Sequence, residues 1–304
     1  MVENNIIHLK NEHLSIGVAP SCGGSLCYFK YISGNEDLNV LRPALPTAFD
    51  KKDANGMSLF PLVPYSNRIR KGKFVYWGIM RKVPKNKSGM SDPIHGDGWV
   101  SAWEVVEHDS RSVTLKLSHN KENGGFPFSY ESYLTYALEG KTLKITLSVK
   151  NAATLPMPCG LGVHPFFVKT ADTTLEFNAK TVWAHELDAV ANGPYKLPEK
   201  WSFSPAAKLE NNEFDTCFGG FDGEASVTYP KTGLSILMKA KQDFGHIVLF
   251  APRNKNFFAL EPVTNANDAF NLATASVIGT GIKSLGPAET LEETVEISVD
   301  KLKP

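Results

Sequence analysis

The sequence predicts an all-β protein, a large antiparallel β-sandwich, and three observations carry that prediction. Apolar and polar residues alternate with period two over much of the chain, a short glycine-bearing segment joins two apolar-rich runs, and helical spacing is never sustained over a dozen residues. In chain order the alternating runs are Val113, Leu115 and Leu117; Leu143, Ile145, Leu147 and Val149; Leu234, Ile236 and Met238; and Val295, Ile297 and Val299. Successive side chains of a strand point to opposite faces, so each run marks a strand with one buried face. Between Tyr130-Glu131-Ser132-Tyr133-Leu134-Thr135-Tyr136 and Leu143-Lys144-Ile145-Thr146-Leu147 lies Glu139-Gly140-Lys141, as a hairpin requires, so these two runs are expected to pair antiparallel. The best helical candidate, Asn267 to Leu272, amounts to little more than one turn.

With 304 residues, 42% of them hydrophobic, the chain can bury a sizeable core. No Ser/Gly-rich or Pro-rich linker divides it and no internal repeat is found, so residues 1–304 read as one domain. Irregular stretches fall at 42–72, 84–98, 186–224 and 262–288, and long loops on a β scaffold usually carry function. Thirty-two basic residues balance thirty-two acidic ones without a block of like charge, which argues against nucleic acid or an anionic membrane as partner. No span approaches the roughly 20 apolar residues needed to cross a bilayer. Cys22, Cys27, Cys159 and Cys217 form no C-x-x-C pair and show no zinc-like spacing, so free thiols in a reducing cytoplasm are expected. Met1-Val2-Glu3-Asn4-Asn5 is polar and acidic, unlike the start of a secretory signal. Nothing reads as a dimerisation helix; a monomer is the default expectation and a dimer its alternative.

Five stretches concentrate chemistry. In Gly160-Leu161-Gly162-Val163-His164-Pro165-Phe166-Phe167 a histidine precedes paired phenylalanines, a candidate acid or base beside an apolar face; the plain alternative is a packing histidine. If this segment is extended, one of Phe166 and Phe167 at most can share the face of a ligand. Pro64-Tyr65-Ser66-Asn67-Arg68-Ile69-Arg70-Lys71-Gly72-Lys73-Phe74 is dense in donors, and a guanidinium fork suits adjacent hydroxyls or a carboxylate; the alternative is a solvated basic loop. Pro93-Ile94-His95-Gly96-Asp97-Gly98-Trp99 puts a histidine, an acid and an indole within five residues but lacks the H-x-H and H-E-x-x-H spacings of metal sites. An imidazole and an aromatic ring can instead hold a sugar, one bonding a hydroxyl or ring oxygen and the other covering the C–H face. Asn212-Glu213-Phe214-Asp215-Thr216-Cys217-Phe218 is the fourth stretch. In the fifth, Phe257 to Asn271, Glu261 ends an apolar run before Pro262, where an acid is costly to bury unless paired or used; pairing with an arginine is the structural alternative.

Taken in order, Val18-Ala19-Pro20-x-x-Gly23-Gly24, Asn67-Arg68-Ile69 with Gly72 and Phe74, Pro84 and Asn86 ahead of His95-Gly96, His164-Pro165-Phe166-Phe167, Asp215 with Phe218, and Glu261-Pro262 with Asp268-Ala269-x-Asn271 resemble the motifs of the aldose 1-epimerase (galactose mutarotase) family. The resemblance runs from about residue 12 to 298. It implies a galactose mutarotase-like supersandwich with an open sugar-binding cleft and neither metal nor organic cofactor. Carried over by position, it implies His164 as catalytic acid, Glu261 as catalytic base, and Arg68, His95 and Asp215 as substrate-binding residues. The chemistry is consistent: anomer exchange removes a proton from the C1 hydroxyl, protonates the ring oxygen, opens C1–O5, rotates about C1–C2 and reverses. Such a pair is expected to start as carboxylate and imidazolium, held in opposite states by mutual attraction.

Two departures bear on substrate. Gly98-Trp99 directly follows His95-Gly96-Asp97, unlike the glycine-rich run expected of galactose-active members, and Arg70, Lys71 and Lys73 lie close to Arg68. A hexose-6-phosphate 1-epimerase is therefore the runner-up, requiring basic side chains that converge at one end of the cleft. A non-catalytic carbohydrate-binding protein on the same fold is the alternative from another class, and a glycoside hydrolase or lyase would need a second carboxylate opposite Glu261 or a tyrosine base.

Overall fold

The computed structural model describes residues 6–34, 36–185, 191–209, 213–240 and 243–302. Met1 to Asn5, Asn212 and parts of the 186–224 stretch lie outside the described residues. The alternating runs form strands Ser112–His119, Thr142–Asn151, Leu234–Ala240 and Thr290–Lys301. The predicted hairpin pairs Tyr130–Glu139 with Thr142–Asn151, closing at Glu139 opposite Thr142 across Gly140 and Lys141. Gly140, at φ 57, supplies the left-handed backbone of that turn.

Among the described residues these strands belong to a nine-stranded sheet, in the order Phe203–Lys208, Thr174–Phe177, Glu224–Tyr229, Leu234–Ala240, Thr290–Lys301, Thr142–Asn151, Tyr130–Glu139, Ser112–His119, Glu104–His108. An eleven-stranded sheet runs Ile7–Lys10, Leu14–Ala19, Ser25–Ser33, Leu59–Leu62, Gly162–Val168, Phe257–Val263, His246–Ala251, Phe214–Gly219, Thr181–His185, Ala191–Lys196, with Glu36–Asn39 paired beside Ser25–Ser33. Among the described residues the strands within each sheet pair antiparallel throughout, as for Gly162–Val168 beside Phe257–Val263. One apolar core includes side chains of both sheets, among them Phe167, Phe258, Leu249 and Phe218 from the larger and Leu147, Ile236 and Ile297 from the smaller.

The larger sheet is buried on both faces at its centre. Its other face carries a second apolar cluster including Phe60, Phe166, Val248, Ala259 and Val263, covered by Ile94, Trp99 and Ala266 from the loops. Burial on two faces removes alternation from the sequence, which is why Leu59–Leu62, with Pro61 inside it, hid within a stretch read as irregular. The 186–224 stretch likewise holds strands Ala191–Lys196, Phe203–Lys208 and Phe214–Gly219, a correction to its reading as loop. The short helix expected over Asn267 to Leu272 forms at Ala269–Thr274, and a second, Pro46–Lys51, begins on a proline whose fixed φ suits a first turn. All four cysteines are free and buried, and no described helix is long and apolar enough to cross a membrane.

Candidate active site

The pairing of the central strands brings the expected residues together. Gly162 lies opposite Val263 and Phe166 opposite Ala259, so His164 falls opposite Glu261 on the loop-covered face. On the flanks His164 pairs with Phe60, Glu261 with Val248 and Asp215 with Phe250. His164 Nε2 and Glu261 Oε1 are 3.1 Å apart, and both side chains are buried. The imidazole stacks on Phe60 at 4.4 Å between ring centroids and leans on Phe166 at 4.5 Å. Phe166 thus lines the cleft while Phe167 packs into the core between the sheets. Gly162 has no room for a side chain: a Cβ there would lie 2.7 Å from Val263 Cγ1.

Arg68 and His95 come from two loops clasped to each other. The His95 amide donates to the Asn67 carbonyl at 2.9 Å, and the Asn67 amide donates to His95 Nδ1 at 3.0 Å. A backbone N–H can only donate, so Nδ1 accepts and a neutral His95 carries its proton on Nε2. Both residues are left-handed, at φ 59 for Asn67 and φ 62 for His95, a region Asn and His enter more readily than most. Asn86 fastens the loop: its Nδ2 donates to the carbonyls of Ile94 and Gly96 at 2.7 and 2.6 Å, and its Oδ1 accepts from the Ile94 amide at 3.1 Å. Gly96, at φ 67, runs so close to Val63 that a Cβ would lie 2.1 Å from its carbonyl oxygen.

The stretch after Glu261 holds the Arg68 segment from the other side. The Asp268 amide donates to the Arg68 carbonyl, Asp268 Oδ1 accepts from the Arg70 amide, and Asn271 Nδ2 donates to Asp268 Oδ1. Asn265 accepts from the Ser66 amide and donates to its carbonyl. The motif Asp268-x-x-Asn271 is therefore a clamp, and it draws the Arg70 guanidinium to Asp268, 3.6 Å from Nε to Oδ2. Arg70 and Lys71 do not line the cleft. With Arg68 and Lys85 they line an adjoining hollow of about 740 Å³.

Arg68, His95, His164, Asp215 and Glu261 all line one cleft of about 260 Å³. Asp215 is exposed at its wall, whereas His95, His164 and Glu261 are buried. Burial pushes the His164 imidazole down to about 3 and holds His95 well below its ordinary value, helped by neighbouring His164 and Arg68. Burial, and then the nearby Asp215, push the Glu261 carboxyl well above its ordinary range. Burial thus disfavours the charge on both groups, in opposition to the mutual attraction that an imidazolium and a carboxylate 3.1 Å apart would have. Among the described residues, His95, His164 and Glu261 are also the three groups that could hold an ion, with ligand atoms within 4.8 Å of one another.

Sequence reasoning missed Arg42, Asn55, Met90, Val248 and Phe250 of this lining, and Phe60, which stacks on His164. None sits in a recognisable motif; Phe60 was detectable only as a neighbour of His164 once strands were paired.

The protein is thus an antiparallel β-sandwich with a buried histidine–glutamate contact in an aromatic, arginine-bearing cleft. The family model described as aldose 1-epimerase matches residues 5–298, and the chain belongs to that family. It is similar to the uncharacterized protein YphB of Escherichia coli K12, 28% identical over 258 residues that cover 82% of this chain and 86% of YphB. YihR of the same organism is 26% identical over 218 residues, covering 69% of this chain and 70% of YihR. Among solved structures, a candidate aldose 1-epimerase from E. coli K12 superposes with a TM-score of 0.87 at 27% identity, covering 98% of this chain and 99% of its own. A galactose 1-epimerase from Lactobacillus acidophilus NCFM shares the fold, with a TM-score of 0.77 at 16% identity and coverage of 98% and 95%.

Proposed function

We propose that this protein is an aldose 1-epimerase interconverting the α and β anomers of a sugar, with Glu261 as base and His164 as acid. The observation that carries the reading is the 3.1 Å contact between these buried groups in the cleft. Beyond the imidazole N–H the pair shares one further proton, on Glu261 in the neutral form and on His164 in the charged one, and the two forms differ only by a hop along that contact. Sugar hydroxyls entering the cleft supply the polarity that favours the charged form. Glu261 then takes the proton of the C1 hydroxyl as His164 protonates the ring oxygen, C1–O5 opens, and the free aldehyde turns about C1–C2 before the transfers run backwards. Neutral His95 donates from Nε2 and Arg68 from its guanidinium to oxygens on which charge develops. Asp215, at the exposed wall, accepts from ring hydroxyls and orients the sugar. The core shared by both sheets supports reading the chain as a single domain.

Polarimetry and proton NMR exchange in weakly buffered solution test the assignment. Glu261→Gln and His164→Asn should each lower kcat by orders of magnitude while sugar binding persists, because each removes a proton carrier and leaves Arg68 and Asp215 in place. Turnover near wild type in either variant refutes the roles given to the pair. Release of reducing ends from a glycoside would point to hydrolysis instead.

A further inference from the structure

Arg42 is fixed in the cleft by five contacts, three hydrogen bonds and two aromatic rings. Its amide donates to the Phe166 carbonyl at 2.7 Å, two residues from His164. Its Nη2 donates to the carbonyls of Asn55 and Met57 at 2.8 and 2.7 Å. Its Cζ lies 4.0 Å from the Phe166 ring centroid and 4.6 Å from that of Phe257, two rings set at 88° to each other, so the guanidinium sits in the corner that they form. What it lacks is an anion. Among the described residues no carboxylate forms an ion pair with it, and its Nε is sealed from water without an acceptor. Asp53, the acid nearest in its electrostatic surroundings, is engaged by Lys87 and by the Asn55 amide.

The charge around the cleft sharpens the point. Arg42 and Arg68 both line it, and its two lining acids lie elsewhere, Glu261 against His164 and Asp215 at the exposed wall. A half-buried guanidinium is expensive to hold without a counter-charge. Desolvation accordingly lowers its hold on the proton, to about 10. A neutral hydroxyl compensates such a cation only in part, whereas an oxyanion compensates it with charge-assisted hydrogen bonds.

From this geometry we propose that Arg42 is the specificity residue of the cleft and that the substrate is an aldose bearing an oxyanion substituent, a carboxylate or a phosphate. The proposal rests on the epimerase reading above and names its substrate class. The anionic group occupies the Arg42 end of the cleft beside Phe166 and Phe257, while the anomeric carbon reaches His164 and Glu261. The adjoining hollow lined by Arg70, Lys71 and Lys85 is not the site of this group, since Arg70 is drawn to Asp268 and both lysines are exposed.

The experiment measures kcat/KM for anomer exchange by NMR with glucose, galactose, glucuronate, galacturonate and glucose 6-phosphate. Wild type should favour at least one anionic sugar over its neutral parent by tenfold or more, and the pattern separates carboxylate from phosphate. Arg42→Gln should collapse that ratio at least tenfold, chiefly through KM. Arg42→Lys, which keeps the charge and loses the planar fork, should collapse it less, and it decides the matter if the glutamine variant does not fold. A wild-type preference for neutral sugars, or equal losses on both classes in the variants, overturns the proposal and leaves the epimerase reading standing. So does an anionic preference that survives in Arg42→Gln and disappears in a Lys71→Ala/Lys85→Ala double variant. No acceleration of any of these sugars by wild type overturns the epimerase reading itself.

Discussion

Asn86→Ala isolates the device that positions His95. The asparagine does not itself line the cleft, yet it makes three hydrogen bonds to the backbone on either side of His95, to Ile94 twice and to Gly96 once. A net hydrogen bond contributes about 1 kcal/mol, so the variant should lose about 3 kcal/mol of stability. For a chain of this size that corresponds to a fall in Tm of roughly 6 °C, at about 2 °C per kcal/mol. The loop is also left free to release the left-handed backbone of His95, a conformation that costs about 1–3 kcal/mol and persists only when its surroundings enforce it. With His95 no longer aimed, kcat/KM should fall by about tenfold to a hundredfold, in line with the loss of one aligned donor. Calorimetry reads the first effect and exchange kinetics the second. A variant that melts with wild type, or one that melts early yet turns over normally below its Tm, refutes the claim that Asn86 holds the catalytic geometry.

Further outcomes follow from the electrostatics of the site. Because His164 is pushed down to about 3 by burial, the free enzyme should take up no second proton at the pair between pH 7 and 5, and kcat/KM should stay flat there; an acid inflection near 6.5 contradicts this. Linkage sets the sign for stability: the unfolded histidine titrates near 6.5 and the folded one near 3, so the unfolded state binds the extra proton in between. The His164 contribution therefore weakens the fold as pH falls from 6.5 toward 3, and His164→Asn should narrow its stability deficit, or gain on wild type, over that window in denaturant titrations. Treatment with a strong chelator followed by gel filtration should leave activity unchanged, since acid and base suffice; a loss restored by added Zn²⁺ would make His95, His164 and Glu261 a metal site instead.

The sequence revealed the outer sheet well and the catalytic sheet poorly, for one physical reason. Strands such as Ser112–His119 have one face against the core and one toward solvent, and their side chains alternate accordingly. Gly162–Val168 and Phe257–Val263 face the core on one side and the covered cleft on the other, and each carries a proline, so their sequences show apolar runs without a period. The site residues were legible through their order along the chain, which the pairing of distant strands converts into proximity. Arg42 was not, because its meaning depends on rings and carbonyls contributed by residues 55, 57, 166 and 257. The opposing effect of burial on the pair was hidden for a related cause: how much water reaches a histidine and a glutamate is a property of packing.

The strand Gly162–Val168 divides by parity. Its even-numbered positions His164 and Phe166 face the cleft, and its odd-numbered positions Val163 and Phe167 face the core between the sheets. On the neighbouring strand the assignment is inverted, with odd-numbered Glu261 facing the cleft and even-numbered Phe258 and Leu260 in the core. An insertion of one residue within either strand would therefore exchange catalyst for ballast along its remaining length, burying an imidazole or a carboxylate in hydrocarbon. An insertion of two would keep the division and move the partners out of step by nearly 7 Å, about two residues of strand rise. Between these two strands the count of residues is itself part of the candidate site.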